Sequence, residues 1–248
     1  MTRLIRTATM LTVGVGGLLI ASAALAFVPD PTNSIKSSAC LVLVGDNGTV
    51  AAPTVTNTIP ALWTVQVKDN APTPNVVPFA LVRIDFTNCQ SIHVATQASQ
   101  KGPYTLTVDP NIKSVSTTAD GSGIARFIVE GGADGNLYTG IGVPGGQATI
   151  SANGYPLGNL TVTALNRNLT LAGGSNPVNA TDGSVLLAML VPVLQPYKSH
   201  ADLNCDGVSN AADASVILQH VVLPAFPGRS NVCPPGVIAP NANPGYAW

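Results

Sequence analysis

Charge is scarce in this chain. Of its 248 residues only 9% are Asp, Glu, Lys or Arg, against a usual share of about 25%. The 11 basic residues nearly balance the 12 acidic ones, leaving a formal net charge of −1. Nucleic acid calls for a clustered basic face, so no nucleic-acid partner is expected. Histidine is scarce too, with three in all, and no two of the four cysteines stand in a C-x₂₋₄-C arrangement. Both shortages argue against zinc. There is no G-x-S-x-G elbow, and the one histidine in the central region, His93, sits between Ile92 and Val94 as an ordinary strand residue would. Glycosidase chemistry needs two facing carboxylates. Asp85, Asp109, Asp120, Glu130 and Asp134 are the candidates, but all except Asp85 fall at expected strand ends or turns, where solvated acids are the simpler reading. The chain is therefore expected not to be an enzyme.

What is present is hydrophobic and small. With 46% hydrophobic residues the chain can build a core, so disorder is excluded for the bulk of it. A surface with so little charge is poorly protected against self-association, which leaves room for an assembled or surface-attached protein. Residues 1–26 read as a secretory signal peptide: Arg3 and Arg6, an uncharged run from Met10 to Ala23, then Ala24-Leu25-Ala26 as the small-x-small cleavage site. The rival reading is an uncleaved anchor, because the run is nearly long enough to span a bilayer. Cleavage implies a secreted, extracellular or cell-surface protein with no membrane attachment afterwards. Residues 234–248, dense in Pro, Asn and Gly, read as a flexible tail. After an export signal, four cysteines read as disulfides, with three possible connectivities. Cys40–Cys89 with Cys205–Cys233 is favoured, since each pair then stays inside one expected domain, 27–165 or 166–233.

Between Cys40 and Leu165 the pattern is of short alternating runs: 62–67, 80–86, 104–108, 124–129, 148–152 and 160–164. Period-two alternation broken by Gly, Pro, Asn and Asp predicts half-buried antiparallel strands. Six such runs with no long helical pattern predict a mainly β fold, a β-sandwich. Val67-Lys68-Asp69, Ile84-Asp85-Phe86 and the stretch from Thr118 through Asp120-Gly121-Ser122-Gly123 to Phe127 resemble the V-x-D, V-x-F and T-x₃₋₄-G-x-A-x-F elements of bacterial immunoglobulin-like domains. Ile84 stands where that family has Val. The resemblance implies an immunoglobulin-like β-sandwich serving as spacer or binding module. Trp63 lies inside an alternating run and is expected in the core. Among Tyr104, Tyr138 and Tyr155, the last two fall in Gly-rich stretches and are the better candidates for an exposed sugar-binding surface.

The most specific stretch is Asp202-Leu203-Asn204-Cys205-Asp206-Gly207-Val208-Ser209-Asn210-Ala211-Ala212-Asp213. Calcium is a hard cation that takes six to eight oxygens, so its ligands must alternate along a tightly curling loop. Asp202, Asn204 and Asp206 supply oxygens from alternate positions, and Gly207 permits the turn. Val208 offers its carbonyl, Asn210 acts directly or through water, and Asp213 closes the sphere from the first turn of a helix. The plain alternative is an Asx-rich turn that caps a helix without metal. His200 and His220 flank the loop and are not needed by it.

A loop followed by a helix, with no helix before it, resembles a dockerin domain. The resemblance extends upstream, since Val178–Leu187 parallels Ser209–Leu218 at a constant offset of 31 residues (213 − 182 = 31), as a duplicated loop–helix requires. The first copy departs from the pattern, with Leu171, Gly173 and Ser175 in the ligand positions, so this site is expected to be lost or to need a register shift, with Asn168 contributing if the loop is longer. The dockerin resemblance implies bound calcium and a protein partner: a cohesin-like module, the same chain's β-domain, or further copies. Ala211-Ala212 and Ala180-Thr181 stand in place of the Ser-Thr pair of many cellulosomal dockerins, so the loops resemble instead the dockerin-like modules appended to exported proteins, whose partner can lie within the same chain. The expected function is thus a secreted, non-enzymatic binding or structural protein with a calcium-stabilised docking module. A carbohydrate-binding protein associated with polysaccharide breakdown, and a filament or surface-layer subunit, are the alternatives.

Overall fold

The computed structural model describes residues 27–43, 62–89, 92–100, 104–133, 147–166, 180–189 and 202–222. The expected signal peptide, the tail, Asp134, Tyr138, His200 and Cys233 lie outside the described residues, as do Leu171, Gly173, Ser175 and Asn168 of the first loop. No described helix is long and apolar enough to cross a membrane.

The fold is mainly β. In chain order it comprises β1 (Ile35–Lys36), β2 (Cys40–Leu43), β3 (Trp63–Gln66), β4 (Leu81–Asp85), β5 (Ile92–Val94), β6 (Thr107–Asp109), β7 (Ser114–Thr118), β8 (Ile124–Phe127), β9 (Gly131–Ala133), β10 (Gln147–Ala152), β11 (Tyr155–Ala164), α1 (Ala180–Met189) and α2 (Ala211–Val222). A six-stranded sheet runs β2-β11-β10-β4-β7-β6, a three-stranded sheet runs β1-β3-β8, and β5 pairs with β9. All pairings are antiparallel except β2 with β11.

Alternation in the sequence becomes alternation of burial. In β4, Val82 and Ile84 point inward while Leu81 and Arg83 are exposed. In β3, Trp63 and Val65 are buried. Trp63 sits opposite Phe127 on β8, with ring centroids 5.7 Å apart in a tilted pair, and its indole N–H donates to the Ser38 carbonyl at 3.1 Å. Both sheets feed one core that includes Trp63, Phe86, Phe127, Ile84 and Leu160. Asn153 and Gly154, at φ 49° and 84°, form a two-residue turn between Ala152 and Tyr155, the mirror-image turn that suits strand twist. Tyr155 therefore opens a strand instead of lying in a loop; it is 46% exposed.

The run 104–108 also departs from expectation, since its strand is only Thr107–Asp109. The Gln97 side chain takes the place of a neighbouring strand there, donating to the Leu106 carbonyl and accepting from the Val108 N–H, both at 2.7 Å. Glu130, expected as a solvated turn acid, is fully buried.

A second apolar cluster joins Cys40 and Val42 of β2, Ile128 and Leu165 to Leu186 of α1 and Leu203, Ala214, Val216 and Ile217 of the loop and α2. Through it the helix pair packs on the β-sheet. Its covalent counterpart is a disulfide between Cys40 and Cys205. This corrects the expected Cys40–Cys89 and Cys205–Cys233 pairing. Cys40 belongs to the cluster under the helices, whereas Cys89 is buried in the main core, in a turn where its N–H donates to Phe86 and its carbonyl accepts from Ile92. Burial first, and then the negative charge of Asp85, push its thiol up to about 12.

Candidate metal centre

The 202–213 loop curls because the side chains of Asp202, Asn204, Asp206 and Asn210 capture backbone N–H groups a few residues further on, which is the habit of Asx residues. Asp202 accepts from Asp206 N at 3.1 Å and Gly207 N at 2.8 Å. Asn204 Oδ1 accepts from Asp206 N at 3.0 Å, and Asp206 Oδ1 from Val208 N at 2.7 Å. Two residues take left-handed backbone, Cys205 at φ 58° and Gly207 at φ 85°. Nothing lies within 4 Å of a Cβ built on Gly207, so glycine is needed there for its backbone freedom and not for space.

Asn210 ends the loop as the N-cap of α2, its Oδ1 accepting from Ala212 N at 2.7 Å. Asp213 returns the favour, with Oδ2 accepting from Asn210 N at 2.8 Å, which is the reciprocal geometry of a capping box. Its other oxygen accepts from Leu203 N at 2.8 Å and Asn204 N at 3.2 Å. A fully buried carboxylate thus ties the two ends of the loop together. Leu203, also fully buried, and the bridge at Cys205 anchor the loop to β2, where Cys40 Sγ lies 3.8 Å from the Asp202 carbonyl.

All the residues expected to bind metal therefore lie along one loop, but they are not equally disposed. Asp202, Asn204 and Asp206 are neighbours: the Asn204 amide donates to Asp206 Oδ2 at 2.9 Å. Burial first, and then repulsion from Asp213 and Asp206, raise the Asp202 carboxyl above its usual range, although the Gly207 and Asp206 N–H groups oppose this. Val208 is exposed, and its carbonyl accepts from the Asn210 amide at 3.4 Å. Among the described residues no three His, Cys, Asp or Glu side chains come together closely enough to hold a metal ion. The donor chemistry nonetheless fits a hard cation: three carboxylates, two amide oxygens and a carbonyl, without a sulfur or imidazole among them. Binding would displace the internal hydrogen bonds of Asn204 and Asn210, and would relieve the crowding of charge around Asp202.

The internal repeat is visible in three dimensions. α1 and α2 begin at Ala180 and Ala211, again 31 residues apart (211 − 180 = 31). Asp182 matches Asp213 and Leu186 matches Ile217, all fully buried, while Leu187 matches Leu218, both exposed. Ser184 and Ser215 each turn their hydroxyl back to the carbonyl four residues earlier, at 3.2 and 3.1 Å. Sequence reasoning missed the role of Cys205, although its place inside the loop, at the fourth of twelve positions, hinted that any bridge there would fix the loop to something outside it.

Three acids of the β-region serve local structure. Asp85 accepts from Thr87 N and Asp109 from Asn111 N. Asp69 gathers Asn75 and Ala71: burial works against its charge, and their N–H groups more than offset this, holding the carboxyl below its usual range. His93 lies in β5 opposite Gly132. Comparison with protein-family models, with curated proteins and with solved structures gave no match.

Proposed function

We propose that this is an exported, non-enzymatic binding or structural protein, in which a dockerin-like pair of loop–helix repeats is ordered by calcium and clipped onto an immunoglobulin-like β-domain of the same chain. The observation that carries the reading is the twelve-residue loop itself. It places oxygen donors at positions 1, 3, 5, 7, 9 and 12, runs into a buried aspartate at the start of α2, and has a matching helix 31 residues upstream. The shared apolar cluster and the Cys40–Cys205 bridge favour the same-chain β-domain as the docking partner over a separate cohesin-like module. Calcium's part is to neutralise the crowded negative charge of a small unit that lacks a large core of its own.

Calorimetric titration of the mature chain with calcium tests this, beside an Asp206→Ala variant. About one ion per chain is expected, with no heat in the variant. Calcium at 100 times its Kd should stabilise the wild-type chain by about 2.7 kcal/mol. Absence of heat together with unchanged thermal stability would leave the loop a metal-free helix cap and sink the proposal.

A further inference from the structure

A second site lies away from the loop. An open groove of about 370 Å³ runs between β6, β7 and β8, inside the about 300–1,000 Å³ range of small-ligand pockets. Six of its lining residues carry hydroxyls: Tyr104, Thr105, Thr107, Ser116, Thr117 and Thr118. Leu81 and Ile124 add an apolar strip, and Asp120 with Arg126 closes one side as an ion pair at 2.5 Å whose side chains are 40% and 34% exposed.

A hydroxyl both donates and accepts, so a row of them suits a ligand that does the same at many points. The Asp120–Arg126 pair offers acceptor and donor side by side while cancelling its own charge, and so asks for no net charge on the ligand. The guanidinium bonded to Asp120 keeps that carboxyl below its usual range, and with it the pair stays ionised.

Beside this groove stands an outlier. Phe79 is 70% exposed and adopts φ 57°, a strained conformation that is rare for a bulky side chain. Burial does not repay that strain. It is held by the backbone, since Phe79 N donates to Asp120 O at 3.3 Å, and its ring end lies 3.9 Å from a Cβ built on Gly121. The strained residue thus stands beside Asp120 and two positions before Leu81, both of which line the groove, with its exposed ring reaching toward Gly121.

We infer that this groove binds a neutral carbohydrate, with sugar hydroxyls meeting the Thr, Ser and Asp120–Arg126 groups and an apolar ring face meeting Phe79. Its residues all fall between Leu81 and Arg126 apart from Phe79, so the inference is independent of the calcium loop.

The test is calorimetric titration of the mature full chain with cello-, xylo-, manno- and malto-hexaose, in calcium and again in chelator. Binding of at least one of these, with Kd on the order of 0.1–1 mM, is expected in both buffers. Thr107→Ala/Thr118→Ala removes two exposed hydroxyls, and Phe79→Gly removes the ring while relieving the backbone. Both variants should keep the fold, read by a single thermal unfolding transition no lower than that of the wild type, and each should bind at least ten-fold more weakly. No heat with any of the four sugars up to about 10 mM, or binding that both variants leave intact, overturns the inference.

Discussion

Asp213 is the residue on which the C-terminal loop turns. Replacing it with Ala leaves the N–H groups of Leu203, Asn204 and Asn210 without their acceptor. At about 1–3 kcal/mol per buried orphan, with Leu203 the most deeply placed, Asp213→Ala should cost about 3 kcal/mol in urea unfolding even in chelator. A loss confined to calcium-containing buffer would mean that metal ligation is its sole task. Asp120 supplies a pH prediction. Its folded-state carboxyl is held below 3.8, chiefly by Arg126. Its stabilisation is therefore fully present above that value and lost as pH falls through the lower folded value. Asp120→Asn should flatten the fall of stability below pH 3.8 in acid titrations followed by circular dichroism. At this scale the sequence was informative where spacing alone decides. Asp202, Asn204, Asp206 and Gly207 could be placed because a curling loop needs oxygens at alternate positions. Cys205 and Phe79 could not, because their left-handed backbone follows from tertiary constraints that carry no local signal.

At the scale of elements, two glycines should respond in opposite ways to the same change. Gly183 sits in α1, where a Cβ would meet Leu218 and Ile217 at ordinary distances of 3.6–3.9 Å; the matching residue in α2 is Ala214. Gly183→Ala should stabilise by about 0.5–1 kcal/mol, the usual helical gain. Gly131 sits in β9, where a Cβ would collide with the His93 carbonyl. Gly131→Ala should part β5 from β9 and cost about 3 kcal/mol. Equilibrium denaturation of the two variants reads both signs. Alternation made β3, β4, β8 and β10 legible, because each has one face in the core. β7 was not, since Ser114-Val115-Ser116-Thr117-Thr118 offers a single large apolar residue and is drawn into the sheet by pairing with β4 and β6. The Asn153-Gly154 turn was legible in principle and marks β10 and β11 as a single hairpin.

At the scale of the molecule, cysteine arithmetic alone misled. Keeping each bridge inside one expected domain assumed that the two units are separate, whereas one apolar cluster and one covalent bond join them. That bridge spans 165 residues, and in the chain-entropy picture such a loop is worth about 5 kcal/mol. Cys40→Ser should therefore lower stability by several kcal/mol and split one calorimetric transition into two as the helix pair loosens from the sheet. A single unshifted transition would show that the apolar cluster suffices without the bond.

The same bridge sets a problem of timing. A reduced chain closes the 49-residue loop from Cys40 to Cys89 (89 − 40 = 49) about six times more readily than the 165-residue loop to Cys205, by the three-halves power of loop length. Cys89 would also emerge before Cys205 in any vectorial export. Of these two bridges open to Cys40, the wrong one is then expected first, and it would hold Cys89 out of the core. Maturation becomes a matter of disulfide reshuffling, and it should be hastened by an isomerase and by Cys89→Ala alike.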